Sequence, residues 1–555
     1  MIAERQQRTP GSTRRGRAPL VGAVVVGMLL VACAGDDDAG SDDATDPSVS
    51  SVITSATAPT TGSAATSTSP PAPTTARPTT AVPATTATTA TPTTAAPDAP
   101  PAGDELVPVA VRAAAETPDG PANAATVDLT AAGYEEAEFV FEGSATGYRL
   151  TSEPTMDGRW QAEESDRAPF VSRLLVRRPV DPALFSGIVL VEWLNVSGGQ
   201  DADPEWGYTS PEIMREGHVW VGVSAQSVGV QGGVVDALGT ASDGLVGLDP
   251  ERYGELTHPG DRFSFDIYTQ AGRAVLRPDG PAPLGDLVPT TMIAVGESQA
   301  AMFLTTYLNA VQPLVGLYDG FFLHSRLGIA PTPDVATGDE EGIPTVQVRT
   351  DLASPTLIHE TETDLTVLGY AAARQDDSRS VRTWEVAGTA HADDFLLSEV
   401  YGGAASEALT AACGGPINDG PQHRTLRAAL HHLIAWVVDG TEPPTAPRIE
   451  LLEADAPGYA IARDELGNAL GGVRTPAVDV PIATLSGEPY PDGAGFCSLF
   501  GSTTPFDADL LTELYTDPMN YFARFESGLA EAVAAGFVLG PEAEQWRDEA
   551  AAFTW

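Results

Sequence analysis

What most restricts the fold of this chain is a series of short, nearly unbroken apolar runs set between stretches with helical spacing. The runs cover residues 187–193, 219–225, 291–295, 321–324, 355–360 and 381–386. Each has the length of a strand but little alternation, which is how a strand reads when both its faces are covered. Helical stretches at 211–216, 263–276 and 299–310 separate several of them. Such strand–helix–strand repetition predicts a mainly parallel, twisted sheet with helices on both faces. Two earlier segments, 136–150 and 170–178, alternate and are rich in aromatic and branched residues, so an antiparallel hairpin is expected at the N-terminal edge. Beyond Tyr401 come a helix at 425–438, Pro- and Gly-rich segments with weak strand signals, and terminal helices at 509–515 and 541–552. This part reads as a C-terminal elaboration packed on the same core.

The first hundred residues follow a different logic. Arg5, Arg8, Arg14, Arg15 and Arg17 precede an apolar run at 19–32, the layout of an export signal and too short for a comfortable membrane span. The run ends in Leu30-Val31-Ala32-Cys33, which resembles the lipobox of bacterial lipoproteins. The resemblance implies cleavage before Cys33, lipid attachment to Cys33, and anchoring to the outer face of the cell membrane in a bacterial envelope. Arg14-Arg15 leaves both the general secretory and the twin-arginine routes open. Residues 33–104 are dominated by Thr, Ala, Pro, Ser and Asp. They offer too little apolar surface to offset ordering entropy, so a disordered stalk is expected. The divisions are therefore 1–32 signal, 33–104 stalk and 105–555 folded domain.

The formal net charge is -46, and all 30 basic residues are arginine. A chain so acidic, without basic clusters, is not a nucleic-acid binder. The lack of lysine excludes Schiff-base chemistry on a lysine. Of the 3 cysteines, Cys413 and Cys497 remain once Cys33 is set aside; in an exported chain they form a candidate disulfide, the alternative being two buried thiols. No Cys/His spacing suggests a metal, and no cofactor is expected.

The sharpest chemical signal is Val295-Gly296-Glu297-Ser298-Gln299-Ala300, at the junction of an expected strand and an expected helix. A serine at such a turn is the setting of a nucleophile elbow, where close passage of helix and strand requires small residues two positions either side. Gly296 and Ala300 supply them. The competing reading is a serine that merely caps a helix. A serine nucleophile needs a base, and His391 lies just beyond the expected last strand, with His258 in a loop as its competitor. An orienting carboxylate is expected a few residues past the strand at 355–360, where Asp364 fits best and Glu362 is the alternative. The oxyanion-stabilising donors are assigned to the backbone N–H of Gln299 and, in the loop 195–199, that of Val196. The order Ser, acid, His is that of α/β-hydrolases.

The segments Ser172-Arg173-Leu174-Leu175-Val176-Arg177-Arg178-Pro179, Val191-Glu192-Trp193-Leu194-Asn195-Val196-Ser197-Gly198-Gly199, Val223-Ser224-Ala225-Gln226, Gly296-Glu297-Ser298-Gln299 and Gly388-Thr389-Ala390-His391-Ala392-Asp393 resemble a bacterial family of α/β-hydrolase domain proteins. The resemblance runs from about Glu105 to the C-terminus. It implies the hydrolase fold and the Ser298, His391, Asp364 triad, and says little about substrate. The expected activity is hydrolysis of a small-molecule or lipid-like carboxylic ester through an acyl-enzyme. The alternatives are a non-catalytic surface binding lipoprotein on the same fold and an envelope acyltransferase. The connections 227–261 and 327–350 are expected to cover the site.

Overall fold

The computed structural model describes residues 107–555 apart from 236–239, 335–342, 401–403, 454–457 and 492–494. The export signal, Cys33 and the stalk read from the sequence lie outside the described residues.

A 10-stranded sheet organises the domain. Its strands are β1 (Val109–Ala113), β2 (Tyr134–Leu150), β3 (Ala162–Pro179), β4 (Ile188–Trp193), β5 (Val219–Val223), β6 (Pro278–Asp279), β7 (Thr291–Glu297), β8 (Gly320–His324), β9 (Thr356–Thr361) and β10 (Val381–Val386), in the order β10-β9-β8-β7-β4-β5-β3-β2-β1-β6. From β5 through β4 to β10 every pairing is parallel. The long hairpin of β2 and β3 pairs antiparallel with β5 and forms the expected N-terminal side.

The helices that bear on the core and the site include α1 (Pro204–Arg215) after β4, α2 (Ser264–Leu276) before β7, α3 (Gln299–Thr306) after β7, and α4 (Glu362–Thr366) after β9. After β10 come α5 (Ala404–Cys413), α6 (Gln422–Asp439), α7 (Ala508–Tyr515), α8 (Pro518–Ala535) and α9 (Gly540–Ala552).

The non-alternating runs now have a physical cause. In β4, Val189, Val191 and Trp193 join one core with Tyr268 of α2 and Phe303 of α3. Ile188 and Leu190 point the other way, into a second core with Trp206 of α1 and Leu430 of α6. Strand periodicity divides the run between two helical layers, so both sets of positions must be apolar. Glu192 is the exception in β4; buried, it accepts the N–H groups of Glu205 and Trp206 at 3.0 and 3.1 Å, closing the N-terminus of α1. That tie holds α1 across the sheet and satisfies two of its free N–H groups.

Several boundaries and elements differ from expectation. β3 begins at Ala162 and α1 at Pro204; the solvated end of the long hairpin has polar residues where a core strand would have apolar ones. β1 was not anticipated, nor were α5 and α8. In α8 the signals are nevertheless present: Asp517 accepts the N–H of Asn520, Pro518 occupies the first turn, and Gly536 ends the helix at φ 84. Its buried residues Tyr521, Phe525, Leu529 and Ala532 join Leu511 of α7 and Ala543 of α9 in a separate apolar cluster, so the C-terminal elaboration carries a small core of its own. Cys413 at the end of α5 is disulfide-bonded to Cys497, with Cα atoms 5.5 Å apart. Among the described residues no helix is long and apolar enough to cross a membrane.

Candidate active site

The chain passes from β4 to β5 on one side and returns to β7 on the other side of β4. The loops leaving β4 and β7 therefore diverge, opening the kind of crevice at the carboxyl ends of parallel strands where open α/β sheets bind ligands. The loop 195–199 follows β4, and Ser298 follows β7.

Ser298 joins β7 to α3 at φ 57, ψ -122, a conformation that L-residues adopt only under constraint. Its N–H donates to the carbonyl of His324 at 2.9 Å, and its own carbonyl accepts from Met302. The helix folds back so closely that a Cβ on Gly296 would lie 2.9 Å from Leu304 Cδ1 and 3.3 Å from the Ala300 Cβ. This is the close passage for which small residues were expected at 296 and 300. The side chain of Ser298 makes no cap bond to α3, which removes the helix-cap reading.

The hydroxyl instead meets His391, whose Nε2 is 2.8 Å from Ser298 Oγ. On the other side of the ring, Nδ1 is 2.7 Å from Asp364 Oδ1. Ser298, His391 and Asp364 are 9%, 5% and 0% exposed, so solvent reaches the chain of contacts at its serine end. Asp364 also belongs to a capping box: its Oδ2 accepts from the N–H and hydroxyl of Thr361, each at 2.7 Å. One carboxylate oxygen thus fixes the carboxyl group to the start of α4 while the other holds the ring.

The loop carrying His391 is tied on both flanks. Ala387 donates to Val473 O and Ala392 to Leu499 O, both at 3.1 Å, while Asn418 Nδ2 donates to Gly388 O at 3.2 Å. Gly388 sits at φ 77, and a Cβ there would meet Val478 Cγ1 at 2.6 Å. Glu362, the alternative acid, is turned to this loop rather than to the ring. It accepts the N–H of Gly388 at 2.6 Å and of Gly487 at 3.1 Å, and pairs with Arg463 at 3.0 Å. His258, the alternative base, has its Nε2 2.9 Å from Ala225 O and its Nδ1 accepting from Gly260.

The electrostatics follow from burial and neighbours. Burial disfavours a charged His391 ring, but the charge and hydrogen bond of Asp364, with the charge of Glu297, hold its pKa above the ordinary 6.5. Burial also opposes ionisation of Asp364, yet His391 and Thr361 keep it below the usual 3.8. Glu297 behaves differently: burial raises its carboxyl to about 7 against the attraction of His391 and His324.

Gln299 opens α3, so its N–H has no acceptor within the helix. Val196 is buried in the loop after β4, where its carbonyl accepts from Gly199. That loop is closed by paired bonds between Asn195 and Ala202. Asn195 then ties it to the elbow, its Nδ2 donating to Glu297 Oε2 at 2.9 Å and to Glu297 O at 3.1 Å. Neither Asn195 nor Glu297 stands out in the sequence from the segments around it. The signal for them is a polar residue at the close of each of two apolar runs: Glu297 ends β7, and Asn195 lies two residues beyond β4. Of the connection 227–261, Val230, Leu245, Tyr253 and Leu256 pack on Val140 of β2, and Ser242 Oγ bonds Gly199 O in the loop after β4. Among the described residues no group of three or more His, Cys, Asp or Glu side chains could hold a metal ion.

Comparison with known proteins adds the following. No curated protein sequence matches the chain. Among solved structures, esterase Est22 is similar at 13% identity over 51% of this chain and 80% of its own, with a TM-score of 0.26. Fungal esterases from Rhizomucor miehei give 14% identity over 56% and 92%, with a TM-score of 0.26. Carboxyl esterase 2 from Tuber melanosporum gives 13% over 42% and 78%, with a TM-score of 0.25. Family assignment rests on a different match, that of the family described as alpha/beta hydrolase domain, which spans residues 98–548. With the match covering most of the chain, the protein belongs to the α/β-hydrolase domain family.

Proposed function

We propose that this protein is an extracytoplasmic carboxylic ester hydrolase that works through an acyl-enzyme on Ser298. The observation that carries the reading is the continuous set of contacts from Asp364 Oδ1 to His391 Nδ1 at 2.7 Å and from His391 Nε2 to Ser298 Oγ at 2.8 Å.

In the first half-reaction His391 Nε2 takes the hydroxyl proton as Ser298 Oγ bonds to the ester carbonyl carbon. The carbonyl oxygen becomes an oxyanion facing the N–H groups of Gln299 and Val196. Collapse breaks the bond to the leaving alkoxide, which receives the proton from Nε2. In the second, His391 takes a proton from water, the hydroxide adds to the acyl carbon, and Ser298 leaves with the proton returned. Asp364 holds the ring in the tautomer that presents the Nε2 lone pair and stabilises its charged form. The substrate class proposed is a small-molecule or lipid-like ester.

The proposed site of this activity is the outer face of a bacterial cell membrane, through export and lipid attachment at Cys33; the stretch Leu30-Val31-Ala32-Cys33 supports that reading. Mass spectrometry of Cys33 in the mature protein tests that part; an unmodified or uncleaved N-terminus refutes it.

A fluorophosphonate probe tests the chemistry. Labelling of the wild type that disappears in Ser298→Ala is expected, together with turnover of p-nitrophenyl esters of graded chain length. An unlabelled, folded wild type would support a binding protein instead. Transfer of the acyl group to an added alcohol or glycan in preference to water would support an acyltransferase.

A further inference from the structure

His391 is faced by carboxyl groups at both ring nitrogens. Asp364 occupies Nδ1, while Glu297 Oε1 lies 3.3 Å from Nε2, the nitrogen that also meets Ser298 Oγ at 2.8 Å. The aim of Glu297 is set from behind: Asn195 Nδ2 holds its Oε2 at 2.9 Å, which leaves Oε1 for the ring. The other titratable groups around Glu297 come from separate elements. They are His324 at the end of β8, Glu205 in the first turn of α1, and Asp364 beyond the ring. His324 is engaged elsewhere, its Nδ1 being 2.8 Å from Glu205 Oε1 and its Nε2 2.8 Å from Gln422. The ring of His391 is therefore the group to which Oε1 is directed.

A structural tie to Asn195 needs only a carbonyl-type acceptor, which glutamine would also supply. A carboxyl group does more in this position, because it can hold a proton. We propose that Glu297 shares a proton with Nε2 of His391 and thereby sets the pH above which Ser298 can be activated. With that proton present, the Nε2 lone pair is occupied, either as an N–H facing the Glu297 carboxylate or as the acceptor of a protonated Glu297 O–H. Loss of the proton to water frees the lone pair for the serine hydroxyl. Burial brings the Glu297 carboxyl to about 7, and the carboxyl groups beside it hold the His391 ring above its ordinary value. With Oε1 3.3 Å from Nε2 the two groups are coupled and titrate as a pair. Glu297 acts through His391 and is a positioning residue. The inference rests on His391 being the base for Ser298.

The test compares wild type, Glu297→Gln and Glu297→Asp by the pH dependence of kcat/KM with p-nitrophenyl acetate. Removing a negative charge beside the ring makes its protonated form less favourable, so the acid limb should move to lower pH by about one unit in Glu297→Gln. Glu297→Asp, which keeps the charge but draws it back, should fall between. A limb that does not move, or a loss of the same factor at every pH, overturns the proposal. The ring can also be followed directly by NMR titration in Ser298→Ala, with and without Glu297→Gln, where no turnover is needed. A lower ring pKa in the double variant is expected, and equal values overturn the proposal. Should Glu297→Gln fail to fold, titration of the ring in Ser298→Ala alone decides the matter: two coupled steps are expected, and a single step refutes the shared proton. Absence of fluorophosphonate labelling would remove the assignment of Ser298 while leaving the ring titration intact, so the two readings fail separately.

Discussion

Ser298 donates its backbone N–H to the carbonyl of His324 at 2.9 Å, anchoring a residue at φ 57 to the end of the neighbouring parallel strand. Conformations of this kind cost about 1–3 kcal/mol and persist because their surroundings impose them. Glycine adopts them freely, losing about 0.5–1 kcal/mol in entropy. Ser298→Gly should therefore be more stable than the wild type by about 1 kcal/mol while losing all fluorophosphonate labelling. Thermal or denaturant unfolding checks this. A lower midpoint would show that the hydroxyl contact with His391 outweighs the backbone strain.

Asp364 and Glu362 are both buried acids at the start of α4, but only Asp364 touches the ring. Asp364→Asn should lower kcat/KM by about 10³–10⁴-fold, since an amide favours the wrong ring tautomer. Glu362→Gln should act mainly on stability, by about 1–3 kcal/mol, because it weakens the anchor of Gly388 and Gly487. The two variants also differ with pH. Asp364 has a folded pKa below 3.8, so its contribution is present above that value and is lost as pH falls through the folded pKa. Asp364→Asn should show a shallower loss of stability in that acidic window.

The Cys413–Cys497 bridge spans 84 residues of chain. By the chain-entropy account, closing a loop of this length stabilises the fold by about 4–5 kcal/mol. The double variant Cys413→Ser with Cys497→Ser should unfold at a clearly lower temperature. Leu499, two residues past the bridge, accepts the N–H of Ala392 beside His391, so inactivation on heating should advance with unfolding. A midpoint unchanged by reductant in the wild type would refute the prediction.

Arg173 of β3 has no exposed side-chain surface and pairs with Glu138 at 3.2 Å and Asp201 at 3.0 Å. Replacing it with leucine leaves Asp201 in the interior without its cation, while Glu138 keeps Arg252 at 2.6 Å; removing one partner of a buried pair in this way costs about 3–5 kcal/mol. Arg173→Leu should thus be strongly destabilised, and adding Asp201→Asn should recover part of the loss. Denaturant midpoints of the single and double variants measure both effects.

Much of the fold was legible because the parallel strands are buried on both faces. Val189 and Leu190 serve opposite cores, and the pattern that results needs no knowledge of which helices cover them. The elbow was legible because the steric demand at Gly296 and Ala300 acts within a few residues of Ser298. β1 was missed because it is only five residues long and buries just two of them, Val109 and Val111, too short a pattern to read as a strand. In α8 an Ala-rich surface obscured a buried face made of four spaced residues.

The sequence by itself determined the alternation of strands and helices, the sharp turn at Ser298 and the chain order of serine, acid and histidine, since each depends on local spacing and residue size. The tertiary structure alone decided that Asp364 rather than Glu362 meets His391, and that Glu297 reaches the other nitrogen of the same ring. Those outcomes depend on where side chains point when segments far apart in the chain are packed together. Thr361, Gly388, Gly487 and Asn195 set these directions through hydrogen bonds, and most of those partners are remote in sequence.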